Sequence, residues 1–378
     1  MLAHFLHHLM IALLIPLLPY VRNEFSLTYT QVGWLVLAYN LAYGINQLPA
    51  GWLADRIGRR IMLTMGVTGV AVVGLLIGLS QTYVILALLL VLLGLAGGGY
   101  HPAATPLVSA SVVPKNRGRA LGFHQIGGTG SFFLAPLIAA GIASTLGWRG
   151  TFLVISVPAI VFGIAFHLLL GRLGYIKQAK PEIHASHTKI PPTPVRVHRL
   201  VAFVILGITS MVLIRSTISF VPLFVVDHFG VAEEAAAAML SLAYFGGIWA
   251  GPLGGYLSDR LGRVPVILAV GIIASPVIYL LNLVSLGMGL SVILILMGMA
   301  MYLGMPVVEA YIISHVSEQK RSTILGIYYL GSRGGPAIAP LIGYLIDKYG
   351  FYTSFSVVGT AMVTITLICA ILLWGRRD

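Results

Sequence analysis

The sequence predicts an all-α polytopic membrane protein, with twelve transmembrane helices forming two pseudo-symmetric six-helix bundles. Three observations carry this expectation. Hydrophobic residues fill 58% of the 378 positions and charged residues only 9%, more apolar surface than a soluble fold can cover, so lipid must be part of the solvent. Apolar runs long enough to cross a bilayer recur along the whole chain, and the second half repeats the first at a fixed spacing.

Stretches of about 20 apolar residues or more, broken by Gly, Pro and charge, fall near 2–21, 31–53, 61–79, 83–112, 119–144, 150–170, 200–226, 236–257, 264–284, 288–315, 322–346 and 351–374. They are spans 1 to 12 below. The first, MLAHFLHHLMIALLIPLLPYV, carries histidines where a secretory signal has Lys or Arg, and no A-x-A site follows it; it is read as a retained span. The polar break Gly171 to Arg199 is rich in Pro, Lys, Arg and His and reads as a loop. The expected organisation is an N-terminal bundle at 1–170, an inter-bundle loop at 171–199 and a C-terminal bundle at 200–378.

Positive charge sets the topology. Of 23 Lys and Arg, 18 fall in the loops on the side of Arg56, Arg59 and Arg60 or in the C-terminal tail. Three (Arg22, Arg149 and Lys348) fall on the opposite side, and Arg215 and Arg333 lie within spans. The expectation is a multi-pass protein of a prokaryotic cytoplasmic (inner) membrane with both termini in the cytoplasm. The net charge of +12 is then mostly topological, and no nucleic-acid partner is expected. A single cysteine, Cys369, excludes an internal disulfide and a cysteine-based metal cluster.

An offset of 204 residues pairs Asp55 with Asp259, Phe25 with Phe229, Pro102 with Pro306 and Arg117 with Arg321, and superposes APLI at Ala135 on APLI at Ala339. Parallel six-helix repeats of this kind typify alternating-access carriers. At the loop between spans 2 and 3, GWLADRIGRR (Gly51 to Arg60) resembles the signature of the major facilitator superfamily, and GYLSDRLGRV is similar to its weaker second copy. The resemblance implies two bundles rocking about a central cavity lined by spans 1, 4, 7 and 10. It also implies a gate. Gly51, Asp55, Arg56, Gly58, Arg59 and Arg60, with Asp259, Arg260, Gly262 and Arg263 in the second copy, would form it. Asp55 would cap the start of span 11 near Arg321 and Ser322, and Asp259 the start of span 5 near Arg117 to Arg119. The alternative is that these arginines only anchor topology.

On span 5, Gly122, Ser131, Ala135-Pro136 and Ala139-Ala140 resemble the family's antiporter motif, although small residues so spaced also serve close helix packing in lipid. The stretch YHPAATPLVSASVVPKNRGRALGFHQIGGTG, with the His-Phe of span 1, is similar to the fosmidomycin-resistance-type branch of exporters. That branch would carry an acidic residue soon after the first histidine, where this chain has His7 and His8.

Ionisable groups within spans are candidates for function because their burial is costly. Glu309 is the one carboxylate well inside a span, at the repeat position of Thr105. It is either a structural partner for an arginine or a proton-coupling carboxylate. Arg215 and Arg333 keep their charge and need an anion; one can pair with Glu309, and the other points to a substrate with a carboxylate- or phosphonate-like group. His101 and Thr105 share a polar face of span 4 with Ser109; His101, Thr105, His124 and Gln125 on span 5, and Tyr328 beside Arg333, are candidate substrate or proton-coupling groups. Each also has a packing or helix-bonding reading.

His4, His7 and His8 (H-x-x-H-H) share a face of span 1, a spacing found in the histidine boxes of membrane di-iron oxygenases. Such an enzyme needs several boxes, and the other histidines are scattered singly, so neither metal, cofactor nor enzymatic activity is expected. His7 and His8 are read instead as proton-relay or anion-binding groups. No G-x-x-x-x-G-K-S/T loop for ATP is present. The expected function is alternating-access secondary transport of a small organic solute bearing an anionic group, by a monomer in the lipid bilayer, coupled to protons and directed toward export. Proton-coupled uptake of a carboxylate is the alternative.

Overall fold

A computed structural model describes residues 1–172, 196–333 and 338–373. All regular structure among them is helical. Most of the polar loop at 171–199 lies outside the described residues, as do the side chains of Asp55, Arg321, Ser322 and Arg333 and the surroundings of Gly51.

Among the described residues, nine helices are long and apolar enough to cross a membrane. Twelve crossings follow once three features are resolved. Arg117–Arg172 holds spans 5 and 6, separated at Gly147 (φ 66°, ψ 179°), and Ala339–Leu373 holds the end of span 11 and all of span 12, separated at Gly350 (φ 76°, ψ 174°). Both glycines occupy backbone conformations closed to other L-residues. Two further helices, Tyr29–Ile57 and Glu318–Arg333, supply span 2 and the first part of span 11.

Proline and glycine shape two spans internally. Span 1 divides into Leu2–Ala12 and Leu14–Phe25, because Pro16 has no N–H for the carbonyl of Ala12. Span 4 divides into Tyr83–Gly98 and Tyr100–Ala110, where three glycines precede Pro102. In span 3 a π-helical turn, Met65–Gly69, joins Arg59–Thr64 to Val70–Gly78.

The chain divides into two compact units. The first contains Met1–Ser26, Ala38–Lys189 and Glu233–Ala238; the second contains Leu27–Leu37, Ile190–Ala232 and Met239–Asp378. They follow the two repeats except that the start of span 2 is grouped with the second unit and the start of span 8 with the first. Those exchanged segments are themselves equivalent under the 204-residue offset.

In the first unit, Ala50, Ala54, Met62, Val67, Tyr100 and Ala103 pack as a core. In the second, Phe203 stacks on Tyr311 at 3.8 Å among Val308, Ile267, Tyr328 and Cys369. Span 1 is 78% buried and span 7 is 61%, more than any other apolar window. Spans 5 and 6 expose Leu134, Leu137, Val161 and Leu168 outward, as lipid-facing helices do.

The signature loop and its echo share backbone and side-chain geometry. Gly58 has φ 91° and ψ 143°, Gly262 φ 92° and ψ 152°, so each copy turns through the same glycine-only conformation. Arg56 lies over the Trp52 ring at 4.1 Å and Arg260 over Tyr256 at 4.8 Å, a cation–π pair repeated in each half. Within the second unit, Asp347 caps the start of span 2, accepting from the Tyr29 and Thr30 amides at 2.8 Å each and from the Thr30 hydroxyl at 2.6 Å. A carboxylate there also meets the positive end of the helix dipole.

Candidate functional site: a histidine cluster in the first unit

Five histidines meet in the first unit. His4, His7 and His8 come from the first half of span 1, His101 from the restart of span 4, and His124 from span 5. The His4 ring stacks on His124 at 4.1 Å with an interplanar angle of 4°. It lies 4.6 Å from His8 and 5.1 Å from His101, while His8 and His101 are also 5.1 Å apart, so three imidazoles form a near-equilateral triangle. The Nε2 atoms of His8 and His101 are 3.1 Å apart, one donating to the other.

The local backbone fixes these rings. His4 Nδ1–H donates to the His124 carbonyl at 2.7 Å, which makes Nε2 its acceptor nitrogen. His7 Nδ1–H donates to the Gly66 carbonyl at 2.6 Å, inside the π-helical turn where the usual helical pairing is shifted. Tyr100 stacks on His7 at 4.4 Å and on His4 at 5.5 Å. A Cβ placed on Gly128 would lie 2.6 Å from His4 Cε1 and 3.1 Å from His8 Cδ2; the missing side chain is what lets span 5 sit against the rings. His4 and His7 are fully buried, His8 and His124 nearly so, and His101 is half-buried.

His4 is thus central to the cluster. His101 and His124, read from sequence as isolated, belong with the span 1 trio. Thr105 and Gln125 are exposed, on faces turned away from the first unit's core.

The second unit holds the other candidates. Arg215 is half-buried near the middle of span 7. Glu309 on span 10 is half-buried, with Oε1 shielded from solvent. Tyr328 is fully buried in the second core, a packing position, while the Arg333 side chain lies outside the described residues.

Of the signature residues, Arg60 makes a well-defined tie. Its Nε donates to the His167 carbonyl at 3.0 Å, joining span 3 to the end of span 6. Arg56 is exposed apart from its stack on Trp52, and Asp259, Arg260, Arg117 and Arg119 are exposed. At the opposite end of the first unit, Glu24 pairs with Arg149 and accepts from Trp148 Nε1 at 2.6 Å, while Arg149 also donates to the Ser80 carbonyl at 2.7 and 2.9 Å. Sequence reading missed the parts played by Gly66, Tyr100, Gly128 and this Glu24 network. Only the glycines of MGVTG and GGTG hinted at close approach.

The fold and the repeated loop define a secondary transporter of the twelve-helix type. The Major Facilitator Superfamily model matches residues 1–237 and 200–378, and the chain belongs to that family; it is not an enzyme. Similar curated proteins include the multidrug resistance protein MdtG of Enterobacter lignolyticus (strain SCF1), 28% identical over 366 residues, 94% of this chain and 86% of that protein. The probable L-galactonate transporter of Escherichia coli (strain K12) is 32% identical over 149 residues, 39% of this chain and only 33% of that protein. Among solved structures, the nucleoside transporter NupG superposes with a TM-score of 0.78 at 14% identity, over 99% of this chain and 98% of that one. A bacterial homolog of the human lysosomal transporter Spinster gives 0.76 at 18%, over 98% and 94%. At those identities the structures bear on the fold alone.

Proposed function

We propose that this transporter exports a small organic solute carrying an anionic group across the cytoplasmic membrane by alternating access, driven by protons, with both termini in the cytoplasm. The observation that carries the solute class is Arg215. It is a permanent cation halfway along the most buried span of its unit, and a charge so placed calls for a counter-charge. Arg333 adds a second cation in the spans. Glu309, with one oxygen shielded from solvent, is the proposed proton carrier. Asp55 and Asp259 are the proposed gating carboxylates, and the repeats at 1–170 and 200–378 the units that move. Export is supported by the multidrug relatives that span nearly the whole chain.

The galactonate transporter favours a second reading, proton-coupled uptake of a carboxylate, because the solute it is named for is a sugar acid.

A thermal-shift screen of organic anions, cations and neutral drugs on purified protein tests the solute class. Anions should raise the melting temperature, and Arg215→Ala or Arg333→Ala should abolish the shift. Stabilisation by cations or neutral drugs alone overturns the reading. In proteoliposomes, Glu309→Gln should uncouple solute flux from an imposed pH gradient, and the sign of that flux separates export from uptake.

A further inference from the structure

We propose that His4, His8 and His101 form a binding site for a borderline divalent cation of the Zn2+ class, bridging span 1 and span 4 within the first unit. One ring nitrogen from each residue lies within 4.8 Å of the others. Ligand nitrogens about 2.0–2.1 Å from a tetrahedral zinc sit about 3.3 Å from one another, and the His8 and His101 Nε2 atoms are already 3.1 Å apart. Closing the triangle on the anchored His4 requires movement of up to about 1.5 Å, taken up by χ rotation of His8 and the half-buried His101 as their mutual hydrogen bond gives way to the ion.

The donor chemistry selects the ion. Three neutral imidazoles suit Zn2+, Ni2+, Co2+ and Cu2+ and are poor ligands for Mg2+ or Ca2+, which take oxygen. Spacing at i and i+4 sets two ligands on one helical face, and the span 4 restart after Gly99 delivers the third.

A ligating histidine normally directs its other nitrogen to a fixed acceptor, which sets tautomer and ring orientation. His4 meets that condition, since its Nδ1–H is held by the His124 carbonyl and the lone pair therefore sits on Nε2. The stacked rings of His124 and Tyr100 confine it further. In the metal-free state His8 and His101 share a hydrogen bond through their Nε2 atoms; in the loaded state both present lone pairs. His101, the half-buried member, marks the side from which an ion enters. Three protein ligands leave a fourth position for water or an anion, the arrangement of an open rather than a closed zinc site. This sets aside the sequence expectation of no metal, which rested on treating His101 and His124 as isolated.

The test uses the full chain, purified without an oligohistidine tag. Zn2+ is titrated in competition with a chromophoric chelator, Co2+ is bound as a spectroscopic probe, and X-ray absorption is recorded on the zinc-loaded wild type. The expected result is one ion per chain, a four- or five-coordinate Co2+ spectrum and a zinc shell containing three imidazoles. His8→Asn and His101→Gln should each weaken binding at least ten-fold, while the exposed His198→Asn leaves it unchanged. X-ray absorption on the wild type keeps the test independent of whether those variants fold. No zinc binding in the micromolar range, an octahedral oxygen-rich shell, or unaltered affinity in both folded variants overturns the proposal.

Discussion

Gly128→Ala isolates the contact between span 5 and the histidine rings. The added methyl would stand 2.6 Å from His4 Cε1, 2.9 Å from its Nε2 and 3.1 Å from His8 Cδ2. None of these atoms is a flexible chain end. His4 is held by the His124 carbonyl and a stacked ring, and His8 by His101, so relief requires span 1 and span 5 to separate. Overpacking of this kind costs about 1–3 kcal/mol, against a gain in helix propensity of up to about 1 kcal/mol for replacing glycine. Gly130 provides the control, two residues on in the same helix, because a Cβ there meets nothing within 4 Å. Gly130→Ala should therefore hold or raise the melting temperature in detergent, and Gly128→Ala should fall below it by a difference equivalent to about 1–3 kcal/mol. Equal melting of the two variants would refute the packing argument.

Three further outcomes follow from single contacts. Gly58→Ala and Gly262→Ala each place a side chain at φ near +90°, and at Gly58 the space around it is open; each should cost about 1–3 kcal/mol of backbone strain, with similar losses at the two repeat positions in thermal melts. Arg60→Ala removes the donor to the His167 carbonyl and should destabilise by about 1 kcal/mol. Arg60→Lys should not fully restore this, since a lysine ammonium cannot reproduce the guanidinium's directed Nε–H. Asp347→Ala leaves the Tyr29 and Thr30 amides without their cap and should cost about 0.5–2 kcal/mol; hydrogen exchange at those two amides should rise first, and unchanged exchange would remove Asp347 from that role.

The fold was legible because lipid makes the code simple. Backbone polar groups must be satisfied internally, so apolar length reads directly as helices, and the 204-residue offset located the second half without a structure. The matching backbone at Gly58 and Gly262 is the physical content of that offset. Boundaries between units were less legible. Contiguous halves are the natural expectation from a linear repeat, yet the starts of spans 2 and 8 are grouped across, and the start of span 2 makes a contact 317 residues distant in sequence, Thr30 with Asp347. No local pattern announces a pairing of that range.

The candidate site was legible by residue type and illegible by assembly. The H-x-x-H-H face could be read from helical spacing, because residues at i, i+3 and i+4 are bound to be neighbours. His101 and His124 follow at distances of about a hundred residues, and nothing in their own surroundings says that they face the same point. What brings them together is backbone: the break at Gly99 aims His101, Gly128 admits span 5 to the rings, and the π-helical turn offers the Gly66 carbonyl to His7. Each is a local departure from regular helix. A helical membrane protein conceals such sites well, since its strongest sequence signal, apolar periodicity, is the signal that these irregularities interrupt.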